Sequence, residues 1–206
     1  MALANYTDLQ AAIADELARD DLTSKIPDFI KLAESEINRD LRVKEMREIV
    51  TINPSQSVNY TDLPDGFMEL ISFSDHYGEP VFEVVTEDLA RSRYAASESW
   101  PNRCAIGARI EFDCVADASY DYTMAYWKRL DIEADTTNAV MTNHPDLYLY
   151  GSCLKATHYI NDDERAGLWR SIYDLAVAKA NRQSNRSTRK LRTDFTGQRF
   201  NINRGF

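Results

Sequence analysis

The chain has 206 residues, 44% of them hydrophobic and 28% charged, with a formal net charge of −9. This balance suits a soluble globular protein with one well-cored domain, or a core with an inserted subdomain, and no window of about 18 consecutive apolar residues predicts a membrane span. The first residues lack the basic and apolar regions of a signal peptide. The three cysteines include no close pair, which argues against a disulfide framework and suits synthesis in a reducing cytoplasm.

The charge is distributed unevenly along the chain. Residues 183–206 hold six arginine and lysine residues against one aspartate, a net charge of +5. The rest of the chain holds 18 basic residues against 32 acidic ones, a net charge of −14. Because an acidic body repels nucleic-acid phosphates, nonspecific binding of nucleic acid by the body is disfavoured. The basic C-terminus is a separate binding element.

Two helices are predicted at the N-terminus. Thr7 and Gln10 have the spacing of a capping box, and the first helix is expected to end near residues 19–21. The second helix starts at residues 23–24 and has Pro27 in its first turn. Its apolar stripe consists of Ile26, Phe29, Ile30, Ala33, Ile37 and Leu41. Its predicted outward face consists of Lys31, Glu34, Asn38 and Arg42.

The hydrophobic period changes from helical to alternating near residue 47, which predicts a β-rich insert. Turn signals separate the candidate strands, and Leu63-Pro64-Asp65-Gly66 is a strong one. The candidate strands cover residues 48–52, 58–60, 67–73, 81–85, 104–106, 109–114 and 120–127, and a short helix covers 86–94. They predict a small antiparallel sheet, followed by a polar return loop over 129–142.

One face of the last strand carries Tyr120, Tyr122, Met124 and Tyr126. Such a face can stack on a base or sugar, although it more often forms the core of a sheet or a contact between subunits. Each of these uses stays open from the sequence alone.

Residues 143–182 predict a second pair of helices. Pro145 suits the first position of a helix that extends to about Tyr159, with Asn143 or His144 as its cap. This helix is apolar nearly all round, so burial on more than one side is expected. The last helix begins at residues 162–164. Its stripe consists of Trp169, Ile172, Tyr173, Ala176, Val177 and Ala180.

These elements together predict an α+β protein. The N- and C-terminal helix pairs would form a four-helix bundle, interrupted by a β-rich subdomain and followed by an extended C-terminal arm. The predicted domain organisation is a helix pair at 1–44, the insert with its return loop at 45–142, a helix pair at 143–182 and the arm at 183–206.

The C-terminal tail departs from the rest of the chain, since helical periodicity stops at Gln183. The tail cannot bury enough surface to fold alone. It is either a disordered basic end, an arm that orders on a protein through arginine forks and phenylalanine anchors, or a nucleic-acid arm. The residues assigned to a binding arm are Arg186, Arg189, Lys190, Arg192, Phe195, Arg199, Phe200, Arg204 and Phe206.

The sequence contains few residue patterns that could indicate a catalytic or metal-binding site. It contains none of the patterns GxxxxGK[ST], GxGxxG, HExxH, GxSxG or CxxC. His144 is expected to cap a helix, His158 to lie on a helix surface or interface, and Cys153, five residues before it, to be a small core residue. The acidic clusters at 20–21 and 162–164 are expected to cap helices rather than bind metal. No catalytic, metal or cofactor site is therefore predicted, and the protein is not expected to be an enzyme.

Several motifs resemble the head-to-tail adaptor proteins of tailed bacteriophages. They are YTDLQ (6–10), IPDFI (26–30), AESEINRDLR (33–42), LPDGFMEL (63–70), NHPDLYLYG (143–151) and DDER (162–165). They occur in the same order over most of residues 3–182, whereas the tail matches only in type, as an extended arm.

The resemblance implies a structural virion protein located in the neck and made in the host cytoplasm. It implies a homo-oligomeric ring, expected to be a dodecamer, that lies below the portal and continues the channel for double-stranded DNA. The implied partners are the portal protein, docked by the arm residues named above, and tail, nozzle or tail-fibre proteins. No membrane and no cofactor are implied. The alternative function is a nucleic-acid-binding module that uses the basic tail.

Overall fold

The computed structural model describes residues 3–19, 21–74, 83–88, 95–160 and 163–195. The chain divides into two compact units. The helical unit comprises Met1–Met46 and Leu130–Phe206, and the β unit comprises Arg47–Arg129. The protein is therefore of the α+β class, as predicted.

The helical unit is built from two long helices at each end of the chain and two short ones between them. Its helices are α1 (Tyr6–Leu17), α2 (Ile26–Asp40), α3 (Ile132–Asp135), α4 (Ala139–Asn143), α5 (Pro145–Ile160) and α6 (Asp163–Phe195). Helix α5 packs against α1, α2 and α6, which agrees with its apolar character on several sides. A regular four-helix bundle remains a prediction.

Helix α1 begins earlier than the capping box predicts. Asn5 is the N-cap, because its Oδ1 accepts the Asp8 backbone N–H at 3.0 Å. The Asp8 carboxylate in turn accepts the Ala4 N–H at 3.3 Å. Asparagine is at least as good an N-cap as threonine, so this reciprocal pair replaces the predicted pair of Thr7 and Gln10. The helix ends at Leu17.

The apolar stripe of α2 is confirmed, since all six predicted residues are at most 5% exposed. The predicted outward face is wrong at two of its four positions. Glu34 and Asn38 are both buried, at 8% exposure. Their partners lie in the segment after residue 129, which the sequence predicted as a return loop but which folds into α3 and α4.

Glu34 and Asn38 fasten that segment to α2. Asn38 forms two hydrogen bonds with the backbone of Leu130, accepting its N–H at 2.9 Å and donating to its carbonyl at 3.1 Å. Glu34 Oε1 accepts the Ile132 N–H at 2.9 Å and the Tyr148 hydroxyl at 2.8 Å. A buried polar group is tolerated only when it is hydrogen-bonded in this way, so a polar pair on α2 holds a distant segment in place.

Helices α5 and α6 begin at Pro145 and Asp163, in agreement with the sequence. Trp169, Tyr173 and Ala180 are at most 1% exposed, which confirms the centre of the predicted stripe.

The end of α6 differs from the prediction. The helix continues to Phe195, so residues 183–195 are helical rather than extended. The run has no glycine or proline before Gly197, so nothing in it breaks the helix that precedes it.

The β unit has nine strands among its described residues, arranged in three small sheets. They are β1 (Arg47–Ile52), β2 (Tyr60–Thr61), β3 (Phe67–Ser74), β4 (Glu83–Val84), β5 (Ala95–Ser99), β6 (Arg103–Ile106), β7 (Ile110–Phe112), β8 (Cys114–Ala116) and β9 (Tyr122–Lys128). The sheet orders are β1-β9-β3, β2-β7-β6-β4 and β5-β8. The single antiparallel sheet of the prediction is wrong, because β4 pairs with β6, and β5 with β8, in parallel.

The core of the β unit explains the aromatic face of the last strand. Tyr122, Met124 and Tyr126 are at most 2% exposed and pack in one cluster with Phe73, while Tyr120 packs against the edge of that cluster. The face is therefore sheet core rather than a surface for bases or sugars. The predicted turn before β3 is also confirmed, since Phe67 donates to the Pro64 carbonyl at 3.1 Å and Gly66 has φ +69°. The helix predicted over 86–94 lies mostly outside the described residues.

The burial of Glu34 predicts a pH-dependent stability. Burial raises the pKa of Glu34 above its ordinary value of 4.5, against the opposing effect of its hydrogen bonds. The folded state then binds this proton more tightly than the unfolded state, so the stability that Glu34 contributes is fully present below pH 4.5 and is lost as pH rises through the raised pKa. Replacing Glu34→Gln keeps the acceptor oxygen and removes the titration. The stability of the variant relative to the wild type, measured by urea unfolding, should therefore increase with pH across that window.

Glu34→Leu is the matched comparison. It leaves the Ile132 N–H and the Tyr148 hydroxyl without this buried acceptor, which should cost about 2 kcal/mol or more at every pH. A Glu34→Gln variant whose stability follows the pH dependence of the wild type would contradict the assignment.

Candidate interaction surfaces

The C-terminal helix is fastened to the rest of the helical unit at the start of the predicted arm. Asn181 Oδ1 accepts the Arg42 N–H at 3.0 Å, and Asn181 Nδ2 donates to the Asp40 carbonyl at 3.1 Å. Ser184 Oγ accepts the Lys44 N–H at 3.1 Å and is 9% exposed. These side chains bond backbone groups that follow the end of α2, where intrahelical partners run out. The direction of α6 is thereby fixed to the chain that leaves α2.

The sequence did not identify Asn181 and Ser184 as anchors. Ser184 lies four residues after the buried Ala180, so it continues the buried face of the helix with a small polar residue. That position is the one signal in the sequence, and it reads equally well as the first residue of a polar tail. The backbone groups that explain it are about 140 residues away in the chain.

The predicted arm residues divide into two groups. Arg186, Arg189, Lys190, Arg192 and Phe195 lie in the last turns of α6. The 11 residues after Ser184 carry the helix roughly 16 Å further, at about 1.5 Å per residue. Four more were predicted beyond them and lie outside the described residues: Arg199, Phe200, Arg204 and Phe206.

An ion-pair network joins α2, α5 and α6. The Glu36 carboxylate on α2 pairs with Lys155 on α5 and with Arg170 on α6, the latter at 3.6 Å. Arg170 also pairs with Asp174 in its own helix at 3.1 Å. The Glu36 side chain is only 13% exposed, so solvent screens these contacts less than ordinary surface pairs. The network therefore fixes α6 to α2 and α5 over its N-terminal half.

The thiols in the described residues are buried and protonated. Burial raises the pKa of Cys104 and Cys153 to about 12 and that of Cys114 to about 11. A thiol needs its thiolate form to act as a nucleophile or a metal ligand, so these residues serve as small core side chains.

The described ranges also place two of the three histidines. His158 is exposed on α5, and the His144 backbone N–H caps α4 by donating to the Val140 carbonyl at 2.7 Å. Over the same ranges, histidine, cysteine and carboxylate side chains nowhere gather in threes that could hold a metal ion. No helix within them is long and apolar enough to cross a membrane. His76 lies outside the described residues.

Comparison with known families decides the identity of the chain. The family model described as SU10 adaptor protein matches residues 4–194, which includes both units and nearly all of α6. The chain belongs to the SU10 adaptor protein family. No curated protein matches it.

Membership confirms the resemblance to phage head-to-tail adaptors. The SU10 adaptor is a bacteriophage structural protein, and an adaptor family implies a place in the virion neck and contact in general with portal and tail components. The match ends at residue 194, one residue before the end of α6. The first half of the predicted arm is thus part of the family pattern, together with the helix that carries it.

The anchoring of α6 can be tested by two substitutions. Asn181→Ala and Ser184→Ala each remove the acceptor of a backbone N–H, so each should lower the free energy of unfolding by about 1–3 kcal/mol. Urea unfolding measures the loss. Asn185→Ala, at an exposed position of the same helix, is the control and should change stability by less than about 0.5 kcal/mol. Equal effects at all three positions would show that the two anchors do not hold the helix.

Proposed function

We propose that this SU10 adaptor forms a homo-oligomeric ring, a dodecamer by analogy with its family, between the portal and the tail. The ring continues the channel for double-stranded DNA, and residues 186–206 dock on the portal. The observation that carries the proposal is the family match over residues 4–194, combined with a basic C-terminal segment that follows directly from an anchored helix.

The anchor at Ser184 fixes the point from which the arm starts and the direction in which it leaves the helical unit. A segment that follows a fixed helix starts from a defined point and in a defined direction, which lowers the conformational entropy lost on docking. Arginine offers paired hydrogen bonds to carboxylates, and phenylalanine fills apolar pockets. An acidic face on the portal with apolar pockets is therefore the partner surface that this arm suits.

The acidic body suits a passage for DNA. With a net charge of −14 outside residues 183–206, the body repels phosphates rather than holding them. DNA that must slide during packaging and ejection gains from a wall to which it does not adhere. Tail, nozzle or fibre proteins are the partners proposed at the opposite end of the ring.

Removing the arm tests the docking proposal. A chain that ends at Asn185 keeps both anchors and loses residues 186–206. It should unfold at nearly the same temperature as the full chain, whereas its affinity for the purified portal of the same virus should fall on the order of 100-fold or more, about 2.7 kcal/mol. Surface plasmon resonance measures the affinity.

A second truncation after Phe195 separates the helical part of the arm from the remainder. If the helical part carries the charge contacts, this chain should keep part of the affinity. Full portal affinity after removal of residues 186–206 would refute docking by the arm.

The second candidate function is nucleic-acid binding through the tail, which is favoured by its charge of +5. It predicts duplex DNA binding whose affinity falls steeply with salt, by a slope of roughly −0.9 for each phosphate contacted. We expect filter binding of the full chain to show only weak retention of DNA at physiological salt. Tight, steeply salt-dependent retention that disappears in the chain ending at Asn185 would favour this function instead.

A further inference from the structure

Helix α6 has an apolar edge that the helical unit leaves uncovered. Leu168 and Leu175 are 59% and 55% exposed. They are seven residues apart with the half-buried Ile172 between them, so the three lie on one side of the helix. We call Leu168, Ile172 and Leu175 the α6 edge. Large aliphatic residues exposed in a row, rather than singly, are typical of a protein contact.

A second apolar edge lies on α2 and α5. Leu32 is 55% exposed and Tyr159 is 57% exposed. The Tyr159 ring packs edge-on against Phe29, with ring centroids 5.8 Å apart, and Phe29 is one helical turn from Leu32. We call the exposed Leu32 and Tyr159, which the buried Phe29 connects, the α2 edge.

The α6 edge lies on the side of α6 that is turned away from α2, the helix that carries the other edge. Arg170 pairs with Glu36, so its side of α6 is the side next to α2. At about 100° per residue, Leu168 and Leu175 lie roughly 140–160° around the helix from Arg170. Neither edge can therefore cover the other within one copy of the chain.

The charges around the two edges are complementary in order. On α6, exposed Glu164 precedes the edge and exposed Lys179 follows it. On α2, exposed Asp28, which also has a 3.9 Å contact with Lys25, precedes Leu32, and exposed Arg39 follows it. Each edge thus has its acid at the N-terminal end and its base at the C-terminal end. When the two helices run antiparallel with Leu32 opposite Leu175, Asp28 lies opposite Lys179, and Arg39 lies about one helical turn, roughly 6 Å, from the level of Glu164.

We infer that the α6 edge of one copy docks antiparallel on the α2 edge of a second copy of this chain. The occupant is another copy because the matching surface, in apolar content and in charge order, is present on the chain itself. A contact between two different patches leaves one free edge of each kind on every pair. Such a head-to-tail contact adds further copies until the ring closes. The inference rests on the proposed ring and assigns its interface.

Disulfide cross-linking of the full chain tests the interface. A variant with both Leu32→Cys and Leu175→Cys should form a ladder of covalent multimers under mild oxidation, alone or bound to portal, because every copy links to the next. Each single variant should form no covalent multimer, and an equal mixture of the two single variants should form covalent dimers and nothing larger. The native cysteines are buried, so the wild type provides the background.

The matched control moves one cysteine to another exposed position of the same helix. Asn185 is exposed and lies 10 residues, roughly 15 Å, beyond Leu175 along α6, so Leu32→Cys combined with Asn185→Cys should give no ladder. All of the substituted positions are exposed, and thermal unfolding verifies that the variants fold as the wild type does.

Two results would overturn the interface. One is a Leu32→Cys, Leu175→Cys variant that forms no covalent multimers, either alone or bound to portal. The other is a single variant that links to itself, which would mean that like edges meet. Portal binding of the same samples distinguishes the two proposals. Intact portal binding without a ladder refutes only the interface, whereas a ladder without portal binding supports the interface and refutes docking on the portal.

Discussion

The close packing of three helices around Gly151 is the constraint on which the helical unit depends. A Cβ atom at this position would lie 3.2 Å from the Tyr173 ring and 3.3 Å from the Ala33 Cβ, so a larger residue would require α2 or α6 to move outward by a few tenths of an ångström. The ion pairs of Glu36 with Lys155 and Arg170 act on the same three helices from the surface. Because these contacts hold α6 through its N-terminal half, the helix reaches its C-terminal anchors with its direction already set.

Hydrogen bonds from polar side chains add to the apolar contacts that hold the helical unit together. Asn181 and Ser184 bond the chain that leaves α2, and Glu34 and Asn38 on the same helix hold the segment after residue 129. Each of these bonds satisfies backbone groups that helices or strands leave unpaired. The helical unit thus uses α2 as a common frame, with the return segment on one stretch and the base of the C-terminal arm on the other. Under the proposed docking of the arm, such a frame would transmit the position of the portal contact into the body of the protein.

Patterns that act over a few residues were readable from the sequence. The stripe of α2, the centre of the α6 stripe, the start of α5 at Pro145 and the turn at Gly66 depend on neighbours along the chain, and the structure confirms them. The misses have distant causes. Glu34 and Asn38 look like surface residues, because their partners are more than 90 residues away. The parallel strand pairs join segments that no hairpin rule connects.

The candidate site was only partly visible from the sequence, for a related reason. The tail was recognised by its charge and its phenylalanines, but its first half continues α6, a helix already held by tertiary contacts, and contains no glycine or proline that would break it. Its anchors, Asn181 and Ser184, could not be separated from the polar residues that follow them. The two apolar edges were invisible too, since Leu32, Leu168 and Leu175 fit helical patterns equally well whether buried or exposed.

The central claim is that a fixed helical unit directs the C-terminal segment to the portal within a ring of copies. Electron cryo-microscopy of the full chain bound to the portal of the same virus tests this most directly. The account predicts a closed ring in which residues 186–206 of each copy contact the portal and α6 continues unbroken into that contact. Copies bound without touching one another, or a portal contact made by the β unit with residues 186–206 elsewhere, would contradict it.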